Sequence, residues 1–483
     1  MELKMKRCCM VRPAEPTWRG RQSLSELDQI NTLTHTQIIY FYRPPNTWLT
    51  PHDVVYDTLR SSLSRVLVPF YPLAGRLRQI IASNSNKSRR ESSRLELDCN
   101  GDGVEFFEAE LNAELAEFGD KDNNNTGNKN NYLFTPSPNY RYLFPVVDYS
   151  QPIEQIPVLF IQLTKLKCGG ISLCLSFSHV VADGQSVAHF LREWARFARG
   201  KPLQTTPFHD RNALVASGTK VQIFDDHSNQ LLYLPSLVEK QNKTIKRTVI
   251  SLRLGKNDVE ILKKIANYFN GNSSECRIMT RDDQGIHRRF SRYEAVAGHI
   301  WKCLSKARKL RDEQETTNIL TIDVRHRLRP AMPVGYFGNA IFDIKTTCLV
   351  RELSSKPLGF GASRVRAGIE KVTSEYVLSA VDYIKSQRDL FCFRYLYSFF
   401  VESFIGNPNV AVVDWSNLPA YEMDFGWGKE IYFGPGNLEV EGDSVILRDC
   451  GGDDTLIVVL CLNVDHVEDF KKSFYKDIVN SCL

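Results

Sequence analysis

The chain has 483 residues, of which 42% are hydrophobic and 24% charged, and its formal net charge is +5. That length exceeds what one hydrophobic core serves, so two domains of roughly two hundred residues each are expected in an ordinary globular protein. The small, scattered positive balance excludes a nucleic-acid-binding stripe, no apolar run reaches membrane-spanning length, and twelve cysteines without a CxxC pair read as thiols of a reducing compartment, with no disulfide framework and no metal spacing.

In chain order, alternation predicts a strand over 36–42, and helical periodicity predicts a helix over 54–66 that runs into a turn at YPLAGR, where Pro72 and Gly75 break the pattern. Polar inserts at 83–93 and 121–131 read as solvated loops. A strand over 156–165 precedes the stretch GISLCLSFSHVVADG. There Ile171, Leu173, Leu175 and Phe177 alternate with Ser172, Cys174, Ser176 and Ser178, the pattern of a half-buried strand. His179 ends that strand on its apolar side, Asp183 follows four residues later, and a helix opens at Gly184. Periodicity fades between 200 and 246, which divides the chain into 1–205, a crossover at 206–246, and 247–483. The second half opens with a strand over 247–254 and a helix from Asn257, with Glu260 as its capping partner. Ser291 and Glu294 form a second capping box ahead of a helix over 296–304. Strands over 320–324, 411–414 and 456–464, a Gly-rich hairpin over 426–436 and a closing helix capped by Asp465 and Glu468 complete a mixed α and β pattern.

Of the ten histidines, only His179 has an aspartate at the fourth position after it, and only His179 closes a clean strand. Two readings stand: a satisfied core histidine followed by a helix-capping aspartate, or a neutral imidazole poised to take a proton from an amine or hydroxyl. No GxSxG elbow accompanies it, and no cysteine has an evident base beside it, so a covalent acyl-enzyme is disfavoured. Walker-type and GxGxxG phosphate cradles are absent too.

HVVADG together with DFGWG at 424–428, in that order, resembles the two motifs of the plant BAHD acyltransferases. YPLAGR, IDVRHRL at 322–328 and GYFGNA at 335–340 extend the likeness along nearly the whole chain. Within that family the chain is most similar to the spermidine hydroxycinnamoyl transferases, through VRPAEPTWRGR, LSRVLVPFYPLAGRLR, GNPNV and DFGWGKE. The resemblance implies a two-domain chloramphenicol acetyltransferase-like fold with its active-site channel between the domains, and a coenzyme A thioester as co-substrate with no permanently bound cofactor. It also implies direct attack of the acceptor with His179 as base. Asp183 and Asp424 complete the implied catalytic set. Asp183 takes a supporting role, paired with Arg325 or Arg327, and the turn of Asp424, Gly426, Trp427 and Gly428 reads as structural.

The resemblance also bears on the acceptor. The shikimate and quinate transferases of this family place an arginine two residues after the tryptophan that precedes DFGWG, whereas here Trp415 is followed by Asn417. A neutral amide lacks the bidentate charge pairing that suits a carboxylate. Ile38 replaces a serine before Tyr40, so Tyr40, Trp415 and Asn417 are expected to border an acceptor pocket with a more apolar wall. Asp414 and Glu422 flank the same segment and would suit a cationic polyamine. Arg288, Arg289 and Lys302 are candidates for the coenzyme A phosphates, with a solvated face as the plainer alternative. The expected protein is a cytoplasmic, monomeric acyltransferase that forms amides with spermidine. It takes an acyl-CoA donor and a small-molecule amine, with no nucleic-acid or membrane partner. O-acylation of an alcohol and a non-catalytic acyl-CoA-binding role are the competing expectations.

Overall fold

The computed structural model describes residues 1–44, 52–80, 94–121, 132–214, 224–231, 246–268, 288–390, 393–394, 406–452 and 454–480. The polar inserts expected at 83–93 and 121–131 fall outside these residues, apart from Lys121, which ends a short strand. The first half supplies strands β1 (Leu3–Val11), β2 (His35–Tyr42), β3 (Val104–Leu111), β4 (Leu159–Leu166) and β5 (Ile171–Ser178). The second half supplies β6 (Arg247–Leu254), β7 (Glu315–Asp323), β8 (Ile341–Leu349), β9 (Val410–Asp414), β10 (Tyr432–Pro435), β11 (Asp443–Arg448) and β12 (Leu456–Asn463). These strands form two mixed six-stranded sheets, ordered β1-β3-β4-β5-β2-β10 and β6-β12-β11-β9-β7-β8. Helices cover them, giving the mixed α/β two-domain architecture expected.

β10 belongs to the second half in sequence but pairs antiparallel with β2, Phe433 opposite Tyr40. The expected hairpin over 426–436 is therefore absent: its only strand is a cross-domain edge strand, and the glycines before it form a turn. The tyrosines of β2 reinforce that crossing, because Tyr40 donates to the Ala420 carbonyl at 2.9 Å and Tyr42 to the Met423 carbonyl at 2.9 Å.

β5 is central and buried on both faces, where its alternation predicts one wet face. Leu173, Leu175 and Phe177 pack into the first-domain core, while Cys174 joins Ile39 and Phe41 against Val445, Leu447, Ile457 and Val459 of the other sheet. Ser172 and Ser176 are fully buried because that second face is covered by the neighbouring domain, which no local pattern reveals. The helix after the turn, α1 (Gly184–Ala198), lays Val187, Phe190, Leu191 and Trp194 against the same core. Trp194 is fully buried and donates from Nε1 to Ser62 Oγ at 3.0 Å; burying a side chain of that size contributes about 2–3 kcal/mol.

Two capping expectations differ in outcome. Ser291 and Glu294 form the predicted reciprocal box at the start of α2 (Arg292–Ala307), with Ser291 N donating to Glu294 Oε2 at 2.6 Å. The preceding helix, Lys256–Asn267, instead starts one residue earlier than predicted. Asp258, not Glu260, accepts from the Gly255 amide at 2.9 Å, because Gly255 takes the extended cap conformation. At the C-terminus Asn463 caps a short turn, and the closing helix runs Val467–Asn480. The described part of 206–246 is packed into the molecule: Arg211, Leu214, His227 and Leu231 are all buried.

Candidate active site

His179 lies one residue beyond β5, in a tight turn in which the Val181 amide donates to the Ser178 carbonyl at 3.0 Å. The ring lines an interdomain cavity of about 620 Å³, while its Nδ1 edge is buried. Burial pushes the imidazole below its ordinary pKa; Asp183, the residue's own carbonyl, the Asn339 side chain and Asp28 pull the other way. The net direction is downward, which keeps the ring neutral near physiological pH.

Asp183 is fully buried and turned away from the cavity. It caps α1 through the Ser186 amide at 2.9 Å, accepts from the Ala340 amide at 2.9 Å and pairs with Arg325 Nη2 at 2.8 Å. Burial alone would raise its pKa, but Arg325 and the two amides more than offset that and hold the carboxylate ionised. Capping and ion pairing thus coexist on one side chain. Of the two arginines in IDVRHRL, Arg325 is the partner; Arg327 donates instead to the carbonyls of Ile369 at 3.0 Å and Val372 at 3.1 Å.

A second buried network holds the backbone of the turn. Asp28, fully buried, accepts from Arg211 at 3.2 Å and from both the backbone and side-chain nitrogens of Asn339 at 2.8 Å. Asn339 also donates to the His179 carbonyl at 2.7 Å, and Arg211 to the Val181 carbonyl at 3.0 Å. Gly338 is required beside them, since a Cβ there would lie 1.4 Å from Arg211 Nη1. Sequence reasoning assigned no role to Asp28 or Arg211 and quoted Asn339 only inside GYFGNA. The one local signal at Asp28 is a capping box with Ser25, an ordinary helix start.

Ile38, Phe177, Trp415, Leu418 and Phe433 supply the apolar lining of the cavity. Asn417 lines it too, donating weakly to Asp414 at 3.3 Å, and Trp415 stacks on Phe433 at 5.8 Å. Tyr40, expected at the pocket, is fully buried behind this wall with its hydroxyl spent on Ala420, because its strand position turns it into the core. Asp414 faces the cavity; Glu422 sits at a positive φ of 65° and pairs outside it with Lys429 at 2.9 Å. Sequence reasoning missed three further carboxylates of separate strands and one of a loop: Asp323, Asp343, Asp443 and Glu439. Burial pushes Asp343 up to about 6, with Thr321 donating to it at 2.6 Å, and pushes Asp443 up to about 7. Besides His179, the basic groups among the described lining residues are Arg394 and His35, and burial lowers His35 to about 4, so it is neutral.

The DFGWG turn lies elsewhere. Asp424 accepts from the amides of Gly426 at 2.8 Å and Gly428 at 3.0 Å and pairs with Arg199 at 3.3 Å. Both glycines have φ above +100°, as the turn demands, and Trp427 stacks on Phe425 at 5.5 Å. None of these residues lines the cavity. Lys302 is buried and donates to the Lys356 carbonyl, so it faces the interior and not a channel mouth; Arg288 is exposed and pairs with Glu370 at 3.6 Å. Neither a serine nor a cysteine is among the described residues lining the cavity.

The model of the Transferase family matches residues 1–477. The hydroxycinnamoyl-CoA:piscidic acid hydroxycinnamoyltransferase of Actaea racemosa is 38% identical over 98% of this chain and 99% of its own. The shikimate O-hydroxycinnamoyltransferase of Nicotiana tabacum is 35% identical over 98% of this chain and 100% of its own. The hydroxycinnamoyl-CoA:5-hydroxyanthranilate N-hydroxycinnamoyltransferase of Avena sativa is 33% identical over 98% and 99%. Among solved structures, vinorine synthase superposes with a TM-score of 0.70 at 19% identity over 98% of both chains. TRI101 of F. graminearum, complexed with ethyl coenzyme A, superposes with a TM-score of 0.72 at 16% identity over 95% of this chain and 99% of its own.

Proposed function

The chain belongs to the BAHD acyltransferase family of coenzyme A-dependent enzymes, and from that premise we propose that it transfers a hydroxycinnamoyl group from coenzyme A to an amine of a polyamine, spermidine foremost. The observation that carries this reading is the charge of the cavity. Five carboxylates, Asp323, Asp343, Asp414, Glu439 and Asp443, line the space that holds His179, against Arg394 as the charged basic group among the described residues. Asp323 is already engaged by Arg325 at 3.1 Å. Buried carboxylates are stabilised by a cation placed beside them, and a polyamine carries several at fixed spacing along an aliphatic chain. Shikimate and quinate bear a carboxylate that this lining would repel, and Asn417 offers it no guanidinium.

The reacting nitrogen must be neutral to attack, and the apolar part of the cavity around His179 favours that form, while distal nitrogens keep their charge beside the carboxylates. His179 takes the proton as the nitrogen adds to the thioester carbonyl; the C–S bond then breaks and the proton passes to the departing thiolate, giving an amide and free coenzyme A. No covalent enzyme intermediate is needed. On this reading one chain, with domains 1–205 and 247–483 joined through 206–246, works as a cytoplasmic monomer. The name of the Nicotiana relative, a shikimate O-hydroxycinnamoyltransferase, favours a second reading, O-acylation of a hydroxyl acceptor. Incubation with caffeoyl-, feruloyl- and coumaroyl-CoA against spermidine, spermine, putrescine, tyramine, shikimate and quinate, read by mass spectrometry, decides between them. Amides of spermidine with shikimate untouched are expected; shikimate esters would overturn the polyamine reading.

A further inference from the structure

We infer that Asp443 is a specificity-determining residue that reads the length of the acceptor: it meets a distal nitrogen of spermidine or spermine that putrescine, held at His179, is too short to supply. This rests on the polyamine reading above and deepens it. A cavity that only gathers negative charge attracts any cation. One that sets carboxylates at graded distances from the base discriminates among amines by length.

The grading follows from strand register. Asp343 lies opposite Thr321 and Asp323 opposite Ile341 on the ladder of β7 and β8, which continues to the bond from the Val324 amide to the Ala340 carbonyl at 2.9 Å. Asn339, just beyond that bond, donates to the His179 carbonyl at 2.7 Å, so the His179 turn meets the second sheet at this end. Asp443 is at the opposite corner. It pairs with Ala411, Ala411 with Ile319 and Ile319 with Lys345, one row across β11, β9, β7 and β8. Strands about 4.8 Å apart that rise about 3.3 Å per residue put the Asp343 Cα about 13 Å from that of Asn339, and the Asp443 Cα about 25 Å from it. Between the two carboxylates Thr321, Val413 and Val445 line the cavity, a largely apolar floor for methylenes to cover.

Amines cover these distances unequally. An extended chain advances about 1.2 Å per bond, so the terminal nitrogens stand about 6 Å apart in putrescine, about 11 Å in spermidine and about 16 Å in spermine. The imidazole, the carboxylate and a hydrogen bond at each end take up the rest of either gap. Putrescine therefore reaches Asp343 and stops short of Asp443. Two other carboxylates are already engaged: Asp323 by Arg325 Nη1 at 3.1 Å, and Asp414 by the Ser416 amide at 2.8 Å and Asn417 at 3.3 Å. Asp343 accepts from Thr321 at 2.6 Å, and among the described residues no cation pairs with it or with Asp443. Lys345, the next residue on that face of β8, does not line the cavity. Burial with no cation to offset it holds both carboxyls above their ordinary range, and a bound ammonium would reverse that.

The experiment compares the wild type, Asp343→Asn and Asp443→Asn with coumaroyl-CoA and putrescine, spermidine or spermine. Asp443→Asn is expected to raise KM about tenfold for spermidine and spermine, the loss of one charge-assisted contact, and to leave it within about twofold for putrescine. Asp343→Asn should raise all three. A length series on the wild-type chain does not depend on either variant folding. Diamines from 1,4-diaminobutane to 1,12-diaminododecane compete with spermidine, each beside the monoamine of equal carbon number, which cancels the apolar gain. The ratio of inhibition constants, monoamine over diamine, should rise in two steps with length, and Asp443→Asn should remove the second. A single step, or an Asp443→Asn penalty as large for putrescine as for spermine, overturns the assignment. A wild-type chain that forms no polyamine amide would instead overturn the acceptor reading beneath it.

Discussion

HVVADG and DFGWG are the two most conspicuous stretches of this sequence, and the fold treats them differently. His179 of the first lines the interdomain cavity, and its neighbour Asp183 is fully buried in a web of short bonds. Asp424 of the second closes its own turn, with its side chain about 30% exposed beside Arg199, outside that cavity. A motif rich in glycine and tryptophan marks a demanding backbone, whereas a motif that ends a buried strand marks a place a substrate can reach. The proposed mechanism puts the chemistry on His179, at the end of the strand.

The largest expected effect is on His179. His179→Ala should reduce kcat by 10²- to 10⁴-fold with an unchanged far-ultraviolet spectrum, measured by thiol release from coumaroyl-CoA. If Asp424→Ala lowered turnover as much, the contrast between the motifs would collapse. Next, Asp183→Ala leaves the largely buried Arg325 with Asp323 as its remaining carboxylate and removes the cap of α1, and should destabilise the fold by about 2–3 kcal/mol in denaturant titration. Activity should fall with the folded fraction and not through a displaced pH limb.

The cavity carboxylates come third. Asp443→Asn should raise the polyamine KM about tenfold, the loss of one charge-assisted contact, with kcat and coenzyme A affinity little changed. Wild-type polyamine KM should fall as pH rises through about 6 and about 7, where Asp343 and Asp443 ionise. Stability runs the other way. Both carboxyls bind protons more tightly folded than unfolded, so wild-type stability should fall between about pH 4 and pH 7. Asp443→Asn should flatten that slope and leave the variant at least ~1 kcal/mol more stable at pH 8. Smallest is Asp424→Ala. It removes two amide contacts and a half-exposed ion pair, so a loss of about 1–2 kcal/mol and less than a tenfold change in kcat are expected from melting curves and initial rates.

Elements with a clean local period were readable in advance: β6 over 247–254 falls where alternation puts it, and β5 and α1 agree to within a residue. Edge strand β1 was not read, since most of it is exposed, and neither was β3 beside it, whose alternation changes phase between Phe106 and Ala109. β10 was misread as part of a hairpin because its partner, β2, lies nearly four hundred residues earlier. At the cavity, His179 and Asn417 lie in the lining and Asp183 behind it, beside Arg325. Tyr40 was placed at the pocket because strand position alone cannot say which face the second domain covers.

The sequence by itself determined the residue that ends a buried strand beside a helix start, the capping of that helix by Asp183, and the tight turn at Gly426 and Gly428. Each is decided by dihedral preference and by hydrogen bonds within a few residues. Tertiary structure alone decided that Arg325 and not Arg327 meets Asp183, and that Asp28, Arg211 and Asn339 converge behind His179. It also brought four strands and a loop together to gather five carboxylates in one cavity. These contacts join residues far apart in the chain, and their energies come from burial, which exists only once the two sheets have closed on one another.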